Sequence, residues 1–301
     1  KILKKNDKLQ HNDKAYVLVH SNQMEETLKV FGHNEKIANK ILIIGGGNIG
    51  LNLASNIENN FEEANFFIRA DVRDIAEISE QIEAAGIEPI IFVSSQTDLT
   101  VNSVAKLNAH FNISDKGLNA AQLFTNKFLM RQAIEKLNGN ILNPKYSIIY
   151  PESIESQIHS FDEDLLSNVV IKPISLQSSL GVKYIENVLT FNFLEYFQSL
   201  SQYKVDEFII EKVIHGVEHT IEGYKHPNGE HELLTASSKS KEFGFGVANA
   251  LHYSTEALKR CTLIQKELNN LFSCYDYGPT HTEIIYSDDG EFYLVEAAVR
   301  G

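Results

Sequence analysis

The chain has 301 residues, 43% hydrophobic and 22% charged, a composition that suits about two folded domains and excludes disorder and fibre. A net charge of -13, from 27 Lys+Arg against 40 Asp+Glu, disfavours nucleic acid and anionic lipid as partners. Two cysteines, Cys261 and Cys274, form neither a disulfide framework nor a metal-type spacing, and no apolar run reaches the ~18 residues of a spanning helix; the expectation is a cytoplasmic protein with no membrane span.

In chain order, residues 14–20 (KAYVLVH) read as a strand and 24–30 as a helix capped by Ser21, with Gly32 as its stop. Residues 40–44 (KILII) read as a buried parallel strand, followed by Gly45-Gly46-Gly47-Asn48-Ile49-Gly50 and a helix over 49–59. The alternation continues with strand 65–68, helix 72–85, strand 89–94 and helix 99–111, the pattern of a parallel sheet with helical crossovers.

From Ser114 the pattern changes. Helices are expected over 117–124 and 126–137, then paired strands at 169–173 (VVIKP) and 181–185 (GVKYI), and at 208–213 (FIIEKV) and 217–224 (VEHTIEGY). A strand over 233–243 follows the turn Pro227-Asn228-Gly229, then a helix over 257–272 and a hairpin, 281–286 with 291–298, around Asp288-Asp289-Gly290. The organisation expected is a small segment 1–35, a parallel-sheet domain 36–114 and an α+β domain 115–301. The start at Lys1 and the end at Gly301, directly after a strand, lead to the expectation of a fragment truncated at its carboxy end.

Two clusters carry chemistry. Gly45, Gly47 and Gly50 match G-x-G-x-x-G after a strand and before a helix, where glycines let amides approach a pyrophosphate; Asp71 lies where a ribose-binding carboxylate is expected. Further on, Lys127 starts a helix and Lys172 ends an apolar strand, and two separated lysines invite an anion between them. The loop after Pro173, with Ser178, Ser179 and Gly181, offers hydroxyls and amides to phosphates. Glu211, Lys212 and Val213 end an apolar strand that could back a nucleotide base, and Glu218 could take ribose hydroxyls. Glu283 and Glu296 fall on adjoining strands of the terminal hairpin, on or near one face, where like charges need a cation such as Mg²⁺, with Mn²⁺ as a substitute.

Residues 14–58, AYVLVHSNQMEETLKVFGH followed by KILIIGGGNIGLNLASNIE, closely resemble the regulatory protein of Trk potassium uptake, and that likeness ends near Phe66. It implies a Rossmann-like segment binding NAD at Gly45, Gly47 and Gly50, and a regulatory role as the alternative function. In order and spacing, TNKFLMR, VVIKPISLQSSLGV, FIIEKVIHGVEHTIEG and HTEIIYSDDGEFYLVEAAVRG resemble the ATP-grasp superfamily, in particular its carboxylate–amine ligases, over residues 70–301. The fold class implied is a Rossmann-like parallel sheet followed by an α+β ATP-grasp fold.

By that resemblance Lys127 and Lys172 contact ATP phosphates, Ser178, Ser179 and Gly181 belong to a mobile loop, Glu211, Lys212 and Val213 hold adenine, and Glu218 holds ribose. Glu283 and Glu296 bind magnesium, and Arg300, catalytic with Lys172, faces the acyl phosphate. The superfamily's closing strand often reads Glu-x-Asn-x-Arg, whereas Ala298 stands at the asparagine's place here, which puts a second metal in doubt. The implied reaction joins a small-molecule carboxylate to an amine through an acyl phosphate, with a non-catalytic ATP-binding protein as another alternative. His215, His219 and His281 fall near the expected site, and His281 is a candidate for proton transfer from the amine. The oligomeric state stays open.

Overall fold

The computed structural model describes residues 42–44, 70–87, 90, 93–95, 98–114, 117–177, 179–240 and 248–300. Residues 1–41 and 45–69, including the expected glycine turn at Gly45, Gly47 and Gly50, and Ser178 of the expected phosphate loop, lie outside them.

Strand β1 (Leu42–Ile44) pairs in parallel with β2 (Val93–Ser95), Leu42 opposite Val93. Between them helix α1 (Ile75–Ala84) is capped by Asp74, whose carboxylate accepts from the Glu77 amide at 3.0 Å. Ile78 and Ile82 of α1 pack with Val93 and with Leu107 of helix α2 (Val101–His110). Helix α2 is two-faced: Leu107 faces that small cluster, while Val101 and Ala105 belong to the large core of the carboxy-terminal sheet. One helix thus serves both cores. Asp71, expected near a ribose, instead accepts from Arg73 Nε at 3.0 Å and Nη2 at 2.8 Å.

Helix α3 (Gly117–Phe124) coincides with its expected span. Helix α4 (Lys127–Leu137) starts where Asn126 accepts from the Leu129 amide at 3.0 Å, and it stops at Asn138, whose left-handed φ of 45° an asparagine tolerates. Strand β3 (Ile141–Leu142), strand β4 (Tyr146–Ile149) and the short helix α5 (Ile154–Ile158) follow.

Next come β5 (Ser167–Pro173), β6 (Lys183–Asn187), helix α6 (Phe193–Ser199) and β7 (Phe208–Lys212). They build an antiparallel sheet of order β4-β7-β5-β6. Phe208, Ile209 and Ile210 are all fully buried, so the unbroken apolar run of β7 reflects cover on both faces rather than alternation. Phe208 packs against Phe197 and Tyr196, with ring centroids 4.8 and 5.6 Å away.

The larger sheet uses β8 (Gly216–Lys225), β9 (His231–Ser240), β10 (Ala250–Tyr253), β11 (Gly278–Ser287) and β12 (Phe292–Ala298), in the order β10-β9-β8-β11-β12-β3. Only its β12–β3 pairing is parallel. Gly223 lets β8 approach β9: a Cβ there would lie 2.7 Å from His231 Nε2 and 2.8 Å from the Glu232 carbonyl.

One continuous helix was expected over 257–272. The chain instead forms helix α7 (Thr255–Cys261), a 3₁₀ turn over Thr262–Ile264 and helix α8 (Gln265–Leu271). Thr262 Oγ1 donates back to the carbonyls of Leu258, at 3.0 Å, and Lys259, at 2.7 Å, which competes with the helical ladder and tightens the turn. No helix among the described residues is long and apolar enough to cross a membrane.

Candidate nucleotide and metal cleft

A cleft of about 230 Å³ lies between the two sheets. Helix α4 supplies Lys127, β5 supplies Lys172, β7 supplies Glu211 and Lys212, β8 supplies Glu218, β11 supplies Glu283, and β12 supplies Glu296. Ser179 of the loop after β5 and Val213 also line it, and Val170, Leu180, Val182 and Ile285 give it an apolar wall. Residues separated by more than 160 positions in sequence thus meet at one opening.

The lysines are fixed before any ligand arrives. Lys127 is buried and its Nζ donates to the Leu176 carbonyl at 2.6 Å, which ties the start of α4 to the loop after β5. Lys172 Nζ lies 2.6 Å from Glu211 Oε2, and Arg131 Nε lies 2.6 Å from Glu211 Oε1. Glu211 therefore does not offer its side chain to an adenine edge, as the sequence led one to expect. Its carboxylate is 3% exposed and engaged on both oxygens. Burial pushes its pKa up, and Arg131 and then Lys172 outweigh that, holding it at about 2.

Lys212 Nζ donates to the Ser167 carbonyl at 2.9 Å, and the Val213 amide donates to the Asn168 carbonyl at 3.0 Å. Both residues line the cleft with these groups already used. In the loop, Ser179 has φ 56° and Gly181 φ 76°. A Cβ at Gly181 would lie 2.7 Å from Pro173 Cγ and 3.0 Å from Leu200 Cδ1, and the Gly181 carbonyl accepts from Tyr196 Oη at 2.6 Å. This end of the loop is therefore pinned between β5 and α6 rather than free to swing, because only a glycine fits the approach.

Glu283 and Glu296 are direct partners across β11 and β12, so the two carboxylates face the cleft from neighbouring strands. Glu283 is compensated. Lys239 of β9 forms ion pairs with it and with Glu218, the latter at 2.9 Å, and His281 Nε2 lies 3.3 Å away. Burial pushes the Glu283 pKa up, and His281 and Lys239 together hold it at about 2. Burial also opposes the charge on Lys239, but Glu283 and Glu218 outweigh it and leave its pKa raised. The Glu296 carboxylate has no hydrogen-bond or ion-pair partner among the described residues.

A pair of carboxylates with one member uncompensated suits Mg²⁺, which takes one or two carboxylates and completes its shell with phosphates and water. Among the described residues no group of three or more His, Cys, Asp or Glu could hold a metal by itself. Ala298 stands opposite His281 and contributes no ligand.

The three histidines separate. The His215 carbonyl accepts from the Asp288 amide at 3.2 Å. His219 is buried beside Arg260 of α7, and burial followed by that guanidinium lowers its pKa. His281 lies between Glu222, at 2.9 Å from Nδ1, and Glu283; burial lowers its pKa, yet the two carboxylates raise it to about 9. A protonated ring held this way is a counter-ion for carboxylates and not a base for an incoming amine.

Arg300 does not line this cleft. It lines a separate cavity of about 80 Å³ with Asp276, Tyr277 and Val299, beside α2. Strand β12 ends at Ala298, between Glu296 and Arg300. Conversely, Arg131 and Lys239 reach the site without having been singled out. The available signal was the pair of charged residues, Lys172 and Glu211, inside the apolar runs VVIKP and FIIEKV, since buried charges come with partners.

Comparison with known proteins adds to this geometry. Residues 165–301 match the family model described as ATP-grasp domain. The Trk system potassium uptake protein of Azorhizobium caulinodans is 46% identical over 52 residues, 17% of this chain and 11% of that protein. Among solved structures, the L-amino acid ligase from Bacillus licheniformis aligns with TM-score 0.59 at 17% identity, covering 76% of this chain and 53% of its own. The ADP complex of N5-carboxyaminoimidazole ribonucleotide synthetase aligns with TM-score 0.64 at 18% identity, covering 87% and 70%. The chain thus spans about half the length of the first of these structures, and at such identities the likeness shows the fold.

Proposed function

We propose, from the premise that residues 165–301 form an ATP-grasp domain, that this protein is an ATP- and Mg²⁺-dependent ligase joining a carboxylate to an amine through an acyl phosphate. The observation that carries the reading is the cleft itself, where Lys127 and Lys172 from one side face the opposed carboxylates Glu283 and Glu296 on the other. A polyphosphate bridged to a divalent cation has the charge pattern that fits between them.

In this reading the apolar wall of Val170, Val182 and Ile285 takes the adenine, with the backbone at 212–214 along its edge, and Glu218 takes the ribose. Lys127, Lys172 and Ser179 meet the phosphates. Glu283 and Glu296 would hold Mg²⁺, which supplies charge neutralisation at the transferring phosphoryl group. The side chains bind and orient, and none is needed as a nucleophile: the substrate carboxylate attacks the γ-phosphorus, ADP leaves, and the amine displaces phosphate from the acyl phosphate. Arg300, placed at the neighbouring cavity, carries no step here.

The structural likeness to an L-amino acid ligase supports amino acids as the first substrates to test. With ATP, Mg²⁺, an amino-acid mixture and hydroxylamine in place of the amine, the expected products are ADP and an acyl hydroxamate, both dependent on the amino acids. ATP binding without ADP or hydroxamate would leave a nucleotide-binding protein and reject ligation.

A further inference from the structure

Arg131 is buried to 1% exposure on α4, one helical turn from Lys127 and on the same face. Its guanidinium reaches both sheets: Nε to Glu211 on β7 at 2.6 Å, and Nη2 to the Val295 carbonyl on β12 at 3.0 Å, next to Glu296. The Arg131 carbonyl accepts from Asn143 Nδ2 at 2.7 Å, which anchors the helix to the loop after β3. At the far side of Glu211, Lys172 is the most exposed member of the triad, at 13%, and its ammonium lines the cleft beside the nearly buried Glu211 carboxylate.

The charge arithmetic of this triad decides what Lys172 can do. Glu211 and Lys172 alone would be a closed ion pair with no net charge to offer an anion. With Arg131 on the other carboxylate oxygen the triad carries one net positive charge, and its accessible end is the Lys172 ammonium. Arginine suits the inner position because it stays charged when buried and its fork can bond a carboxylate and a carbonyl together.

We infer that Arg131 is a positioning residue: by engaging Glu211 it leaves Lys172 with uncompensated charge for a phosphate. The inference rests on the nucleotide reading, since phosphate is the anion that Lys172 would meet. It makes Arg131 responsible for affinity toward phosphates while it touches none.

The test measures binding of MgADP and of adenosine to the full chain, as wild type, Arg131→Met, and Arg131→Met with Glu211→Gln. Arg131→Met is expected to weaken MgADP binding by about 10- to 100-fold, the worth of a charged hydrogen bond, with adenosine affinity unchanged. The double variant removes the carboxylate that would otherwise cancel Lys172, and it is expected to regain MgADP affinity to within a few-fold of wild type. A purely structural role predicts that MgADP and adenosine affinities fall together in Arg131→Met and recover together in the double variant.

An unchanged ratio of MgADP to adenosine affinity in a folded Arg131→Met variant would overturn the inference. So would a double variant that folds but binds MgADP no better than the single one. If Arg131→Met does not fold, the double variant decides alone, because replacing both members of a buried pair leaves no orphaned charge, and its failure to bind MgADP overturns the inference. Wild type that binds neither ligand overturns both this inference and the nucleotide reading, whereas wild-type binding with an unchanged ratio overturns this one only.

Discussion

Replacing Glu283 and Glu296 together by glutamine is expected to remove the gain in ATP affinity that magnesium provides, a loss on the order of 100-fold in the metal-dependent component. The two carboxylates are partners across β11 and β12, and the described residues compensate only Glu283, through Lys239 and His281. Glutamine keeps the size and the hydrogen-bonding capacity of each position but removes the charges that call for a divalent ion. Affinity for metal-free ATP is expected to rise in the same variant, because two negative charges no longer face the phosphates while Lys239 remains. Calorimetry with and without Mg²⁺ reads both changes. An equal response to magnesium in wild type and variant would contradict the assignment.

Stability is expected to fall as pH drops from about 6.5 to about 4, by up to roughly 3 kcal/mol, through His231. The ring is buried, stacks on Phe272 with centroids 4.8 Å apart, and shares a 2.7 Å hydrogen bond with Thr280. Burial, and then the charge of Lys225, hold its pKa at about 4, below the ordinary 6.5. The unfolded chain therefore takes up a proton that the folded chain refuses, and the stability present above pH 6.5 is lost as pH falls through 4.

Glu211 and Glu283, held at about 2, act in a lower window: their stabilisation is present above about 4.5 and lost as pH falls toward 2. His281, raised to about 9, has the opposite sign; its stabilisation is present below 6.5 and lost as pH rises through 9. Stability should therefore peak near pH 6.5. Urea unfolding across this range checks the shape, and His231→Gln should flatten the slope between 6.5 and 4, apart from the share carried by His219. A profile that stays level from pH 7 to 4 in wild type would refute the account of His231.

What could be seen in the sequence was governed by local rules. Asn126 before an amphipathic run announced α4, and the turn at Asp288-Asp289-Gly290 announced the hairpin that sets Glu283 against Glu296. The cleft lysines Lys127 and Lys172 stood out because each sits at the end of a regular element. What stayed hidden depends on register and on distant partners. Arg131 lies in KFLMRQ, where an arginine reads as a solvent-facing residue, and its burial comes from Glu211, 80 positions away. Lys239 lies in the polar stretch SSKSK, and only the pairing of β8 with β9 brings it to Glu218 and Glu283.

Glu211 was expected beside adenine; its place in an apolar strand does not reveal that Arg131 and Lys172 take its carboxylate. Arg300 lines a different cavity from the one that Glu296 lines. The motif fixes only its sequence spacing from Glu296: β12 ends at Ala298, and Arg300, beyond that end, lines the cavity beside α2. Helix α6 escaped notice although Asn192 and Glu195 form a capping pair, because its aromatic content, FLEYFQS, does not read as helix.

The most direct measurement is calorimetric titration of ATP into wild type and Lys172→Ala, each with and without magnesium. The account predicts binding to wild type that magnesium strengthens, and a loss of at least about tenfold in Lys172→Ala, from removal of one charged contact to phosphate. Equal affinity in the two proteins, or wild-type binding indifferent to magnesium, would contradict it.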